Sequence, residues 1–394
     1  MNTSPIRRCL WLPAVALLLT SPPARAIDTE TLAAPVADAM AQAASPQAIA
    51  EFRRKLKEYQ AARDAFEEQA GPYWASVTEK RRGRNAKRRN KQQITLEDYV
   101  LTHPPLYTGP KRPVDPEPQE RPERKAIPVV ADLLKAAAEE FQFTPQRPAS
   151  EVEFKRAYAR YALASGLTRE QAVRVYSFET GGTGSYDVQA GIEHGGKRAI
   201  STAMGYNQLL TTNSVELMAE QGHEFIKELT AKVAATPGPQ RKAMEHKLGV
   251  LKKMVAFTKT VPDEWAAHEK LANTAQGWAV HAMVLDIDIG PMLQTHKLLT
   301  SVLFARAKGY SRPLTAAELE MMNLTGDGTG LDMVTMPQAM REQVPTSNFF
   351  QRGGYERNPV AIRHNTVAKL LAITDERMDV NSNKPGAKEL AAAF

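Results

Sequence analysis

Residues 176–210 read YSFETGGTGSYDVQAGIEHGGKRAISTAMGYNQLL and join the end of an apolar helix to a glycine-rich loop. Glu179 closes that helix, directly after Phe178 and just before Gly181 and Gly182. A carboxyl held against apolar neighbours loses hydration, and this raises its pKa. A glutamate that keeps its proton near neutral pH can act as a general acid. We therefore predict that Glu179 is a catalytic residue.

The helix that carries Glu179 has a recognisable start. Thr168 and Gln171 form a capping-box pattern, which marks the first turn of a helix. Ala172, Val175 and Glu179 then follow at spacings of three and four, so they share one face. An isolated glutamate at a helix end is usually solvated. This one continues an apolar stripe, which predicts that it points toward the edge of the core.

The rest of the chain beyond Pro128 is also helical in pattern, and strand-like alternation is scarce. The sequence therefore predicts a mainly α protein in which any sheet is small. The predicted helices cover 129–141, 150–165, 168–180, a stretch from Asn213 or Ser214 through Leu229, 240–257, 262–284, 296–308 and 315–322.

The first 26 residues have the pattern of a secretory signal peptide. Arg7 and Arg8 precede a short apolar run, and Ala-Arg-Ala at 24–26 is a cleavage signal. The run is too short to span a membrane. Cys9, the only cysteine, lies within it, so the mature chain has no thiol and no disulfide. We expect a periplasmic or secreted protein without a transmembrane segment.

Between the signal peptide and the helical domain the composition changes twice. For residues 27–102 the sequence predicts an N-terminal helical region, with a helix that starts at Ser45-Pro46. This region contains a basic block, KRRGRNAKRRNK, at Lys80–Lys91. Residues 103–128 are rich in proline and charge, which favours an extended linker. The domain organisation predicted is thus 1–26, 27–102, 103–128 and 129–394.

The basic block raises the question of an anionic partner. The formal charge of +7 falls to +4 without the three arginines of the signal peptide, and the excess is concentrated in Lys80–Lys91. Like charges so close together repel, so the block is expected to be disordered or solvated. In an exported protein it could bind an anionic envelope polymer. The block lacks interleaved aromatic residues, which argues against a nucleic-acid partner.

Two further segments could complete a site around Glu179. Gly-Tyr-Asn-Gln at 205–208, preceded by Ser-Thr-Ala at 201–203, offers an aromatic ring and amides of the kind that bind sugars. Met-Asn-Leu-Thr-Gly at 322–326 ends a later helix in a glycine turn. With Glu-Thr-Gly at 179–181, they resemble the soluble lytic transglycosylase family of the lysozyme-like superfamily. Its pattern is Glu-Ser-Gly, then Gly-Leu-Met-Gln, then Ala-Tyr-Asn-Ala-Gly.

The chain departs from that pattern in two places. The loop between the first two elements is longer than usual, the extra length being 186–197, and Met322 stands where the family has a tyrosine. The resemblance covers about 168–335, so neither the N-terminal third nor the tail from Pro345 finds a place in it. It indicates a divergent branch of the family.

The resemblance implies a fold, a substrate and a mechanism. It implies a lysozyme-like α-helical catalytic domain over 129–394 that acts on peptidoglycan glycan strands without a cofactor. Glu179 would protonate the oxygen between N-acetylmuramic acid and N-acetylglucosamine, then accept the proton of the muramic C6 hydroxyl as a 1,6-anhydro ring closes. The residues that would bind substrate are Ser201, Tyr206, Asn207, Gln208, Asn323 and Tyr355.

Three alternatives stay open at the level of sequence. A glycoside hydrolase of peptidoglycan or chitin-like glycans needs a second carboxyl, for which Asp187 and Glu193 are the candidates. A non-enzymatic envelope scaffold or glycan-binding protein would use the groove without turnover. Tyr355 fits a sugar-stacking role and a core position equally well. The histidines lack metal-ligand spacing, and Lys227 stands where a zincin motif begun by His223 needs its second ligand, so no metal is predicted.

Overall fold

The computed structural model describes residues 45–117, 126–192 and 198–394. The predicted signal peptide and Glu193 lie outside these ranges. Helices dominate the described residues, and the strand content there is limited to isolated bridges at Met204, with Gln189 and with Leu209. The prediction of a mainly α protein is therefore confirmed.

The α-helices of the described residues are numbered here in chain order. They are α1 Pro46–Arg89, α2 Val130–Phe141, α3 Glu151–Ala164, α4 Arg169–Glu179, α5 Thr211–Ala235, α6 Pro239–Thr258, α7 Trp265–Ala272, α8 Ala275–His281, α9 Gly290–Ala307, α10 Ala316–Thr325, α11 Asp327–Thr335, α12 Gln338–Arg341, α13 Arg352–Glu356, α14 Pro359–Arg363, α15 Val367–Ser382 and α16 Pro385–Ala393. Short 3₁₀ turns occupy Leu96–Asp98, Ala282–Leu285 and Thr346–Asn348. None of the helices in the described ranges is both long and apolar enough to cross a membrane.

Most predicted helices agree with the structure to within a few residues, and three differ, among them α9, which starts at Gly290 and not at 296. The helix predicted over 262–284 is divided into α7, α8 and a 3₁₀ turn, because the Thr274 side chain caps a new helix by accepting from the Gly277 amide. α5 starts at Thr211, before the predicted Asn213, whose side chain accepts a hydrogen bond from the Leu210 amide instead of opening the helix.

Helix α4 lies at the centre of the fold and begins with the predicted capping box. The Gln171 amide donates to Thr168 Oγ1, and the Thr168 amide donates to Gln171 Oε1, both at 3.1 Å. α4 packs against α3, α10, α15 and α16, while α9 packs against α3, α5 and α10. The C-terminal end of α4, which carries Glu179, thus meets α9 and α10.

The glycines after Glu179 let the C-terminal tail approach this helix end. Gly182 has a φ of +77°, and a Cβ atom there would lie 2.3 Å from the carbonyl oxygen of Asn381 in α15. The Ala387 amide of α16 also donates to the Gly182 carbonyl, at 3.1 Å. The tail that found no place in the family pattern is therefore part of the wall beside the site.

The expectation of disorder for the basic block is wrong, and solvation is observed only for Lys80, Arg82, Arg89 and Lys91, which are exposed. Lys80–Lys91 overlaps the last turns of α1, a helix of 44 residues, and Arg84 is fully buried. Arg88 and Arg84 face Asp332 of α11, with nitrogen–oxygen distances of 2.7 and 3.8 Å. The carbonyl acceptors are Asp98 and Asn348 for Arg84, Asn348 and Phe350 for Arg81, and Gly328 for Arg88. We call Arg81, Arg84, Arg88 and Asp332 the arginine junction.

The N-terminal region contacts the C-terminal part of the chain at further points. The Trp74 ring lies edge-on to Tyr355, with centroids 5.5 Å apart, and Tyr73 Oη lies 2.7 Å from Ser347 Oγ. The described part of the proline-rich segment forms no helix, and its Tyr107 packs edge-on against Phe66 of α1. The second half of α1 is thus fastened to the domain that holds Glu179.

Candidate active site

Glu179 is the last residue of α4 and is only partly exposed. Its Oε1 accepts a hydrogen bond of 3.1 Å from Asn323 Nδ2 on α10. The structure therefore brings together the first and third of the sequence elements, although 144 residues separate the two side chains. Asn323 is itself partly exposed, so both groups lie where the interior meets the surface.

A second carboxyl, Glu320, lies directly beside Glu179. It stands one turn before Asn323 on α10, and its residue is fully buried. A hydrogen bond joins the two carboxyls, and Asn323 Nδ2 also lies 3.5 Å from Glu320 Oε2. The sequence analysis did not single out Glu320. Its position three residues before Asn323, on the same helix face, was the available signal.

One buried lysine, Lys297 of α9, is surrounded by carboxyls. Its ammonium interacts electrostatically with Glu179 of α4, Glu216 of α5, Glu320 of α10 and Asp327 of α11. Burial lowers the pKa of Lys297, and the four carboxyls oppose that change. We call these five side chains the acid cluster. With four carboxyls and one ammonium in a site shielded from water, ionising all of the carboxyls would cost a large free energy.

The pKa of Glu179 is raised to about 7. Loss of hydration is the largest cause, while the Lys297 charge and the hydrogen bonds from Glu320 and Asn323 act in the opposite direction. For Glu320, burial and the nearby Glu179 charge place the pKa well above the ordinary value. Glu320 therefore keeps its proton to higher pH than an ordinary glutamate, and Glu179, with a pKa of about 7, is the member that can deliver a proton near neutral pH.

Carboxyls with raised pKa values continue from the acid cluster toward the surface. Ser301 Oγ donates to Asp327, whose pKa is raised chiefly by burial. Burial, with the charges of Asp263 and Asp327, raises the pKa of the partly exposed Glu220 to about 7. Glu220 lies one turn after Glu216 on α5. Glu220 therefore offers a second proton donor near neutral pH, coupled to the acid cluster through Asp327.

The structure corrects the assignment of Tyr206 as a sugar platform. Tyr206 is fully buried, and its ring is enclosed edge-on by Phe154, Tyr158 and Tyr176, with centroids 4.9–5.4 Å apart. Its hydroxyl donates to the Glu151 carboxylate. A ring that packs against three others has no face left for a ligand, so this tyrosine belongs to the core.

The other polar residues of that segment also serve the loop itself. The Asn207 amide nitrogen donates to the Gln294 carbonyl at 2.7 Å and to Tyr158 Oη at 3.1 Å. Gln208 has a positive φ of 44° and donates to the Gly205 carbonyl at 2.8 Å. Ser201 Oγ accepts from the Ala203 amide at 3.1 Å. These bonds hold the turn in shape, and none of them joins the segment to the acid cluster.

The remaining candidates lie in different surroundings. Asp187 forms an ion pair with Arg147 and accepts from Ser185 Oγ at 2.7 Å, so its charge is already compensated. Tyr355 is buried beside Trp74, which decides between the two interpretations in favour of the core. Of the sequence-predicted substrate residues, the structure brings only Asn323 to Glu179.

Comparisons with protein families, with curated proteins and with solved structures give no match. Within residues 45–117, 126–192 and 198–394, no group of three or more His, Cys, Asp and Glu side chains is arranged to hold a metal ion. The case for a function therefore depends on the acid cluster itself.

Proposed function

We propose that this protein is an exported peptidoglycan lytic transglycosylase in which Glu179 is both acid and base. The observation that carries the proposal is the state of Glu179, a residue at the edge of the interior whose buried carboxyl has its pKa raised to about 7. A general acid works best when its pKa lies near the working pH. The ordered Glu-Thr-Gly, Gly-Tyr-Asn-Gln and Asn-Leu-Thr-Gly elements supply the substrate class by resemblance to that family, within a lysozyme-like helical domain.

The proposed reaction uses one proton twice. Protonated Glu179 gives its proton to the glycosidic oxygen as the bond from the muramic C1 breaks, and positive charge develops at that carbon. The carboxylate formed accepts the hydrogen bond from Asn323 and faces the ammonium of Lys297, both of which favour its charged form. It then removes the proton of the C6 hydroxyl while that oxygen bonds to C1. The 1,6-anhydro ring closes, and Glu179 is protonated again.

The geometry favours this one-carboxyl route over hydrolysis. A retaining glycosidase holds its two carboxyls about 5–5.5 Å apart, and an inverting one holds them about 6.5–9.5 Å apart. Glu320 is fully buried and interacts directly with Glu179, so the two carboxyls do not face each other across a space that a sugar could occupy. Asp187 is paired with Arg147. A single group that donates and then accepts a proton is consistent with this environment.

The decisive test is product analysis on purified sacculi. Glu179→Gln keeps the shape of the side chain and removes its titrating proton, so release of anhydro-muropeptides should fall by about 10²–10⁴-fold. Glu170→Gln, an exposed glutamate at the start of the same helix, is the matched control and should retain activity. Unchanged release by Glu179→Gln would refute the proposal.

Mass spectrometry separates the routes, because hydrolysis products carry an added water. Binding of sacculi without turnover would favour a scaffold.

The basic block is a weaker candidate for an anionic polymer site. Three of its arginines belong to the arginine junction, Lys87 is paired with Asp98, and Lys80 donates to the Glu97 carbonyl. These five cations bind groups of the protein itself, which leaves Arg82, Arg89 and Lys91 exposed. We therefore assign the main affinity for the cell wall to the surface beside Glu179.

A further inference from the structure

Glu320 has an environment that is unusual for a carboxylate. It is fully buried, and no donor in the described part of the chain reaches its Oε1. Its Oε2 has Asn323 Nδ2 at 3.5 Å, the outer limit of a hydrogen bond. A buried carboxylate without donors is very costly, whereas a protonated carboxyl is neutral and can itself donate. The missing donor therefore indicates that the proton resides on Glu320.

The charged groups around Glu320 come from several helices. Glu179 of α4 is its hydrogen-bonded partner, Lys297 of α9 is the nearby cation, and the carboxyls of Glu216 and Asp327 surround that cation. From α15, which also packs on α10, Arg377 lies over the Phe178 ring at 5.1 Å. With one ammonium shared among four carboxyls, the interior favours a neutral Glu320.

We propose that Glu320 is a positioning residue that stays protonated throughout the reaction and donates its O–H to the carboxyl of Glu179. The inference depends on the function proposed above, because it describes how that acid is prepared. Asn323 Nδ2 donates to Glu179 Oε1 as well, so two donors converge on one carboxyl. Together they fix the orientation of the Glu179 carboxyl at the edge of the interior.

The hydrogen bond from Glu320 gains strength during the first proton transfer. An O–H group forms a stronger hydrogen bond to an ionised carboxylate than to a protonated carboxyl. Hydrogen bonds with one ionised partner are about twice as strong as those between two neutral groups. When Glu179 passes its proton to the glycosidic oxygen, the negative charge forms opposite the Glu320 hydroxyl. The proton of Glu320 moves to neither sugar. Glu320 therefore stabilises the product of the step without exchanging a proton with substrate.

Two variants separate this role from the alternatives. Glu320→Gln replaces the O–H by an N–H donor at the same place, so it should keep activity within about tenfold and leave the pH profile nearly unchanged. Glu320→Leu has no donor, so the alkaline limb of the kcat profile should move upward by about one pH unit or more, and kcat should fall. If Glu320→Gln is as inactive as Glu179→Gln, Glu320 works as an ionised group and the proposal is overturned. If neither variant moves the profile, it is overturned as well.

A measurement on the resting protein keeps this inference separate from the enzymatic proposal. In side-chain carboxyl NMR titrations of the unmodified protein, Glu179 should titrate near neutral pH and Glu320 should stay protonated beyond that point. Titration of Glu320 below Glu179 would overturn the inference even if Glu320→Leu does not fold. If both groups titrate in this expected order but the protein releases no anhydro-muropeptides, the lytic function is refuted, while the protonation of Glu320 still stands.

Discussion

Two buried clusters of like charge contact helix α11, and they are neutralised in opposite ways. Asp327, at the start of α11, belongs to the acid cluster, where four carboxyls share one ammonium. Asp332, five residues later, belongs to the arginine junction, where it interacts with three guanidinium groups. Both sites carry an excess of one sign of charge within the interior. Only one of them can relieve that excess with protons.

A guanidinium stays charged in proteins, so the arginine junction needs permanent acceptors. The carbonyls of the segments 98–100 and 348–350 supply them, and the result is a rigid attachment of α1. A carboxyl can instead take up a proton, and the acid cluster does so at Glu320 and Glu179. The comparison shows that burial of like charge gives structural stability when the charge is fixed and a titrating group when it is not.

The largest expected effect concerns the arginine junction. Asp332→Ala leaves Arg84 and Arg88 without their carboxylate in the interior, and breaking a buried pair in this way costs about 3–5 kcal/mol. Denaturant unfolding measures the loss. Asp375→Ala is the matched control, because its pair with Arg174 has an aspartate that is 53% exposed and should contribute less than about 1 kcal/mol. Equal losses would show that burial does not distinguish the two pairs.

The acid cluster should instead show a pH-dependent stability. The pKa of Glu179 is raised in the folded protein to about 7, above its ordinary value of 4.5. Its neutral form is therefore favoured by folding, and this contribution is complete below pH 4.5 and is lost as the pH rises toward 7. The full difference is on the order of 3 kcal/mol. Glutamine cannot ionise, so Glu179→Gln does not lose stability as the pH rises. We therefore expect the variant to become more stable than the unmodified protein at and above pH 7.

Thermal unfolding of both proteins across pH 4–8 measures this difference. The difference reports the titration of Glu179 together with its effect on Glu320, whose pKa the Glu179 charge raises. Glu170→Gln, in the exposed first turn of α4, should show no such trend. A stability difference between Glu179→Gln and the unmodified protein that is the same at every pH would contradict the raised pKa.

A third, smaller effect tests the interior position of Tyr206. Tyr206→Phe removes the hydroxyl that donates to the half-buried Glu151 carboxylate, so the free energy of unfolding should fall by about 1–3 kcal/mol. The dependence of the initial rate on sacculus concentration should not change. Tyr158→Phe, in the same aromatic group, is the control with a neutral partner and should cost less. If Tyr206→Phe instead changed the dependence of the rate on sacculus concentration without lowering stability, Tyr206 would be a substrate-binding residue after all.

Part of the fold and of the candidate site could be predicted from the sequence. The capping box of α4, the mainly helical fold and the buried face of Glu179 followed from local spacing, because each depends on residues a few positions apart. Asn323 was named as a candidate, and its contact with Glu179 spans 144 residues. The spacing could not show whether the ring of Tyr206 faces solvent or three other rings. That depends on how α3 and α4 pack.

The basic block shows the same limit from the side of electrostatics. Its composition indicated repulsion and solvation, which is correct for an isolated segment. Apart from the Asp98 carbonyl, the acceptor carbonyls and Asp332 come from residues about 250 positions further along the chain, so this compensation is invisible in the local sequence. Lys297 and Glu320 were missed for a related reason. Each is a charged residue in a helix with mostly apolar neighbours, and only packing reveals that they meet.

The smallest effect lies at the rim of the contact between α1 and α13. Arg352 binds Glu67 through two parallel hydrogen bonds, Nη1 to Oε2 at 2.7 Å and Nη2 to Oε1 at 2.6 Å. The geometry is favourable, yet the Glu67 side chain is 41% exposed and water screens the pair. Glu67→Ala should therefore cost only about 0.2–1 kcal/mol and even less at high salt, as denaturant unfolding can measure. Glu58→Ala, which breaks an exposed pair within α1, is the control. A loss as large as that of Asp332→Ala would mean that geometry, and not burial, decides which ion pairs hold α1 in place.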